Sequence, residues 1–189
     1  HKILVELLYQ LDRYGFETVV VDDGSVHPVE GADIVLSKPG RGYGAALKAG
    51  IDAAKTDLVC TMDGDGQHTA TDVKRLEEFL CYFPQNAMVI GERRLKEHGV
   101  RLWGRKFLNW TASLFAGRWI NDLNSGLRIF RRSVMVGYFP ILSNGFSFTT
   151  SSTLSFLGDG YAVDWLPIKV LPRRVGRTKV RLWRDGWHT

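Results

Sequence analysis

The chain has 189 residues, 44% hydrophobic and 24% charged, and carries 25 Lys and Arg against 20 Asp and Glu for a net charge of +5. That length fits one domain with a substantial core and excludes a disordered or low-complexity chain. Two cysteines, Cys60 and Cys81, are too few for a disulfide framework and lack a metal-ligand spacing, so they read as reduced cytosolic thiols. The basic balance points to an anionic partner, while no apolar run is long enough to span a bilayer and no secretory signal is visible.

Ile3 to Tyr14 carries apolar residues at helical spacing and is followed by Gly15, a natural stop. Glu17 to Val21 and Ala32 to Leu36 are short apolar runs of the buried-strand kind. The glycine-rich turn Pro39 to Gly44 leads into a helix over Ala45 to Ala54. A third strand is predicted at Asp57 to Met62, a helix at Thr71 to Phe83 and a fourth strand at Ala87 to Gly91. Beyond Gly91 the texture is basic and aromatic as far as Trp119, with Trp103, Phe107, Trp110 and Leu114 on one helical stripe. Asn121 to Phe130 reads as a polar loop entering a strand, and Ser147 to Leu157 as a helix despite its Ser and Thr content. Ala162 to Val170 reads as a strand, and Pro172 to Trp187 is strongly basic. Strands alternating with helices predict an α/β domain with a mostly parallel sheet covered on both faces.

In such a sheet ligands bind at the carboxyl ends of the strands. Three successive strands end in Asp22-Asp23-Gly-Ser25, Gly40-Arg-Gly42-Tyr-Gly44 and Asp63-Gly-Asp65-Gly-Gln67-His68, which puts all three loops on one edge. Two carboxylates one residue apart can turn toward a hard divalent cation, which in turn neutralises a leaving diphosphate. Taken alone, Asp63-Gly-Asp65 suits a polar turn equally well. A calcium loop fails, because Gln67 and Lys74 stand where acids belong. Gly40 to Ala45 with Asp63 downstream also meets a loose dinucleotide fingerprint. Lys38-Pro39 separate that strand from the glycines, however, and one ribose-binding acid leaves Asp22, Asp23 and Asp65 unexplained.

Read in order, Val19-Val-Val-Asp22-Asp23-Gly-Ser25, Gly42-Tyr-Gly-Ala-Ala-Leu-Lys-Ala-Gly50 and Met62-Asp63-Gly-Asp65-Gly-Gln-His68 resemble glycosyltransferase family 2 and its Rossmann-like GT-A fold. Asp122 with Asn124-Ser125-Gly126-Leu-Arg128, and Arg173-Arg-Val-Gly176-Arg-Thr-Lys179, resemble signatures of its polyprenyl-phosphate branch, which includes the dolichyl-phosphate mannosyltransferases. The resemblance runs from about Phe16 to Lys179 and implies one GT-A catalytic domain over 1–189.

It implies that Asp22, Asp23, Ser25, Gly42, Asp63, Arg173, Arg174 and Lys179 bind the donor, the last three closing over its phosphates. Asp63, Asp65 and Gln67 would hold Mg2+ or Mn2+, and Arg105, Arg118 and Ser125 the acceptor phosphate. Asp65, Asp122 and Arg128 are the expected catalytic residues. Asp122 is the base available if the acceptor is a sugar hydroxyl, and the alternative for Arg128 is structural pairing with Asp122. Arg93 and Arg94 read as a solvated basic surface. The expected partners are a nucleotide-sugar donor, a lipid-linked phosphate acceptor and an anionic membrane surface, with no nucleic acid. The expected location is the cytoplasmic face of a membrane, and by resemblance the transfer inverts the anomeric centre.

Three departures from the family stand out. Its opening strand, usually with Pro-x-Tyr-Asn-Glu, is missing, so truncation or disorder is expected ahead of the first helix. Phe146-Ser-Phe-Thr-Thr-Ser-Ser-Thr153 stands where many relatives have Glu, which removes a usual base. The hydrophobic segments that follow the domain in some relatives are absent from this sequence. A phosphate acceptor, already anionic, needs no base, so catalysis there rests on positioning and electrostatics. The alternatives are transfer to a saccharide hydroxyl, a sugar nucleotidyltransferase and a non-catalytic nucleotide-binding module.

Overall fold

The leucine stripe at positions 4, 7, 8 and 11 folds as helix α1 (Lys2–Arg13), which buries Leu7, Leu8 and Leu11. The computed structural model describes residues 2–25, 28–37, 41–93, 109–114 and 117–172. Two short strands follow, β1 (Val19–Asp22) and β2 (Ile34–Ser37), paired in parallel with Val19 opposite Ile34. Helix α2 (Tyr43–Ala53), strand β3 (Leu58–Thr61), helix α3 (Ala70–Tyr82) and strand β4 (Asn86–Arg93) come next. Thr69 caps α3: its hydroxyl oxygen accepts the Asp72 N–H at 3.1 Å, which satisfies a first-turn donor. Residues 109–114 are helical. Strand β5 (Arg128–Arg131), helix α4 (Arg132–Gly137), helix α5 (Phe148–Gly158) and strand β6 (Ala162–Ile168) complete the order.

The second sheet runs β3-β5-β4-β6. Because β5 is antiparallel to both β3 and β4 while β6 is parallel to β4, three of its four strands point one way. The mostly parallel α/β architecture expected from the sequence is therefore present, with β5 as the reversed strand. Residue alternation sorts the side chains between two layers. Leu58, Cys60, Val89 and Ile129 pack under α1 and α3, whereas Val59, Met88, Ile90 and Phe130 pack under α2, α4 and α5. Burial pushes the Cys60 thiol up to about 12. Among the described residues no ladder joins β1 to β3. A groove of about 2060 Å3 runs between their edges, lined by Val19 to Asp22 on one side and Leu58 to Met62 on the other.

The short helix α4 was not expected from the sequence, and neither was the reversed sense of β5. Six residues are too few for a helical period to declare itself, and strand direction follows from tertiary connection rather than composition.

Candidate active site

The carboxyl end of β3 delivers Asp63 and Asp65 between the strand and the cap of α3, and both line the groove. Asp65 Oδ1 accepts the Gln67 N–H at 3.1 Å, which closes the turn. The Asp63 carboxylate is held from two other elements. Tyr43, at the start of α2, donates its hydroxyl to Asp63 Oδ1 at 3.1 Å. Gly126 also lies against it: a Cβ there would come within 2.7 Å of Asp63 Oδ2, so any side chain at this position would force the carboxylate or the loop to shift. Thr61 Oγ1 donates to the Gly126 carbonyl at 3.2 Å and ties that loop to β3.

Arg128 holds the loop from behind. It is fully buried, and its guanidinium donates to the carbonyls of Ser125 (2.6 Å) and Thr149 (2.8 Å) and to the hydroxyls of Ser152 and Thr153. Burial draws its pKa down to about 10, so it stays cationic at neutral pH. The Ser and Thr content of α5 thus has a purpose, since Thr149, Ser152 and Thr153 line the socket of this arginine. Arg128 does not pair with Asp122 and is sealed from the groove, so a direct catalytic contact gives way to a positioning part.

Asp122 corrects a second expectation. It is 1% exposed and accepts the Arg93 Nε at 2.8 Å and Nη2 at 3.0 Å, together with the backbone N–H groups of Arg93 and Asn124. A buried carboxylate taken up by these four donors, and absent from the groove lining, is not placed to reach an acceptor hydroxyl. Arg93, expected on a solvated surface, instead ends β4 at the groove.

On the other wall, Asp22, Asp23 and Ser25 follow β1 and line the groove. Asp22 Oδ1 accepts the Ser25 N–H at 2.9 Å, and the bonds from Ser25 hold its carboxyl below 3.8. Gly42 stands at the N-cap of α2 with φ 94, where a Cβ would come within 2.6 Å of the Asn144 carbonyl. Close helix–loop approach therefore accounts for this glycine, which also lines the groove.

Gln67, expected as a metal contact, lines the groove and also ties two segments together. Its side-chain amide donates to the Leu171 carbonyl at 3.4 Å, and its own carbonyl accepts the Leu171 N–H at 2.9 Å. It tethers the chain leaving β6. Arg118 is likewise elsewhere, 3.8 Å from Asp164 and over the Trp165 ring at 5.5 Å, and it does not line the groove. Ser125 is 0% exposed, and its hydroxyl has no hydrogen-bond partner among the described residues. Arg94, Trp103, Arg105, Phe107, Arg173, Arg174 and Lys179 lie outside the described residues. Sequence reasoning missed Tyr43 and Phe146, whose stacked rings also line the groove. The signal available was an aromatic inside a glycine-rich turn.

The model of glycosyl transferase family 2 matches residues 2–139. The chain belongs to that family. Among curated family relatives, it is 33% identical over 145 residues to the uncharacterized protein MJ1222 of Methanocaldococcus jannaschii, covering 68% of this chain and 59% of that one. It is 30% identical over 155 residues to the undecaprenyl-phosphate 4-deoxy-4-formamido-L-arabinose transferase of Pseudomonas aeruginosa, covering 70% and 45%. The chain spans about half the length of the curated relatives it matches. Its fold is similar, with a TM-score of 0.68 at 19% identity, to glucosyl-3-phosphoglycerate synthase from Mycobacterium tuberculosis, over 92% of this chain and 68% of that one. That structure is a complex with Mn2+, uridine diphosphate and glucosyl-3-phosphoglycerate. At this identity the likeness establishes the GT-A fold of family 2.

Proposed function

We propose that this chain is a catalytic domain that moves a sugar from a nucleotide-linked donor to a polyprenyl phosphate, inverting the anomeric centre. The observation that carries the reading is the convergence of Asp22, Asp23, Asp63 and Asp65 on one groove, with the Gly126 loop seated against the Asp63 carboxylate. Asp22, Asp23 and Ser25 take the nucleoside end. Among the described residues no cluster of three or more acidic, His or Cys ligands could enclose a metal. Two carboxylates nonetheless fit Mg2+ or Mn2+, which fills its remaining positions with water and substrate phosphate. Asp63 and Asp65 would hold that ion, and its charge would stabilise the departing diphosphate.

The burial of Asp122 favours a phosphate acceptor over a sugar hydroxyl. No base is needed for an acceptor that is already anionic, and the base expected from the sequence is locked in an ion pair. What remains for the protein is to orient donor and acceptor and to exclude water. The name of the Pseudomonas aeruginosa relative, which cites undecaprenyl phosphate, agrees with this choice. No helix among the described residues is long and apolar enough to cross a membrane. Trp110, Leu114 and Trp119, exposed by 54%, 69% and 70%, suit an anionic bilayer surface where such an acceptor resides. The basic residues at 173–179 would close on the donor phosphates, with Arg105, Arg118 and Ser125 kept as acceptor contacts to probe by mutation.

The test offers the full chain a panel of nucleotide sugars with polyprenyl phosphate and Mn2+ and follows lipid-linked sugar. Transfer to a saccharide but not to lipid phosphate overturns the acceptor half. Full turnover by Asp65→Ala overturns the metal assignment.

A further inference from the structure

We infer that Phe146, braced by Tyr43, is the platform on which the ring of the transferred sugar stacks; this deepens the donor reading above and rests on it. The two rings are stacked, with centroids 5.4 Å apart and planes 19° from parallel. Phe146 is nevertheless 41% exposed, and it lines the same groove as Asp63 and Asp65. The brace reaches the reacting end directly, because the Tyr43 hydroxyl donates to Asp63 Oδ1. An aromatic one hydrogen-bonded neighbour away from the diphosphate seat is at the range of the group attached to that diphosphate.

The segment that carries Phe146 is fixed before any ligand arrives. Lys48 Nζ donates to the Leu142 carbonyl at 2.6 Å and to Asn144 Oδ1 at 2.9 Å. The Ala45 N–H donates to the Asn144 carbonyl at 3.1 Å, and a side chain on Gly44 would collide with the Ser143 carbonyl. A rigid segment therefore presents a flat apolar ring at a polar groove, at the hydration cost of an exposed aromatic. Beside it the groove offers Thr150, whose hydroxyl donates to Asn124 Oδ1 at 2.5 Å. A flat apolar face next to a hydroxyl and an amide matches a pyranose, which has one face of C–H groups and a rim of hydroxyls.

A nucleobase is the other flat ligand in a nucleotide sugar, but the donor reading above gives the nucleoside end to Asp22, Asp23 and Ser25, and the paired measurements below separate the two. Phe146 precedes α5, whose Thr149 carbonyl binds Arg128 beside the Ser125-Gly126 loop. Asp22 to Ser25 follow β1, across the groove from β3.

The experiment measures calorimetric affinities with Mn2+ for UDP-glucose against UDP and for GDP-mannose against GDP, using the full chain and whichever pair the wild type binds. Phe146→Ala is expected to weaken the nucleotide sugar about tenfold while shifting the bare nucleotide less than about twofold. Phe146→Trp keeps the platform and is expected to stay within about twofold for both. Equal losses for sugar-bearing and bare nucleotide, or no loss for either, overturn the platform while leaving donor binding intact. Failure of the wild type to bind any nucleotide sugar overturns the donor reading itself. Thermal unfolding of both variants distinguishes a lost platform from a misfolded chain, since Phe146→Trp retains the stack on Tyr43.

Discussion

The two walls of the groove are built on different principles. On the β1 wall, Asp22, Asp23 and Ser25 are half-buried or exposed, and Asp22 is held by the local turn from Ser25. On the β3–β5 wall, Asp63 is fixed by Tyr43 from α2 and by Gly126 from the loop before β5, and that loop is fixed in turn by the buried Arg128. One wall carries its ligand groups on an open turn. The other holds its carboxylate through a network that spans three elements. Electrostatic catalysis needs groups that do not reorganise when charge moves, and the prebuilt wall is the one that carries Asp63 and Asp65, the carboxylates proposed to hold the metal.

Removing Arg128 should be the most damaging way to break this contrast. Arg128→Met leaves the buried Ser125 carbonyl without its donors, takes one from the Thr149 carbonyl and from the Ser152 and Thr153 hydroxyls, and should cost about 4 kcal/mol in urea unfolding. Arg128→Lys should recover only part of that, because one ammonium cannot reproduce the planar fork. A stable Arg128→Met protein would mean that the wall is not held from behind.

Arg93→Ala comes next, since it strands the buried Asp122 carboxylate, at a cost of about 3 kcal/mol. The double change Arg93→Ala with Asp122→Asn should be less harmful than the sum of its parts, and the coupling in that cycle measures the pair. Additive losses would show that the two do not act as one unit.

Gly126→Ala sharpens the comparison at smaller cost. Its new Cβ would lie 2.7 Å from Asp63 Oδ2, so carboxylate or loop must shift. Overpacking of this kind costs about 1–2 kcal/mol, and disturbance of a supported ligand should weaken Mn2+ about tenfold. Mn2+ titration with unchanged affinity would mean that Asp63 is free to adjust.

How much of this was legible depended on sequence range. Asp22-Asp23, Asp63-Gly-Asp65 and Ser125-Gly126 lie at strand ends, where local apolar runs stop, so the pattern locates them within a residue or two. Tyr43 was read as part of a glycine-rich turn because its partner Asp63 is 20 residues away. Arg93 and Asp122 are 29 apart, and nothing local tells a surface arginine from one that ends a buried strand. The socket of Arg128 lies up to 25 residues downstream in α5, where its Ser and Thr looked merely unfavourable for a helix. Single-residue chemistry was readable, and pairing across elements was not.

The smallest effect belongs to the open wall and isolates what a turn alone contributes. Asp22 has a folded-state pKa below its ordinary 3.8, chiefly because of its bonds from Ser25. A carboxyl lowered on folding adds stability that is present above 3.8 and is lost as pH falls through the folded value. Asp22→Asn keeps an Oδ1 acceptor for the Ser25 N–H but removes the charge. The variant should therefore be slightly less stable than wild type at neutral pH, with the gap closing as pH falls below 3.8 and through the folded value. Unfolding midpoints at several pH values measure the gap. A gap independent of pH would show that the turn is held by shape rather than by charge, and the β1 wall would then share the prebuilt character of its neighbour.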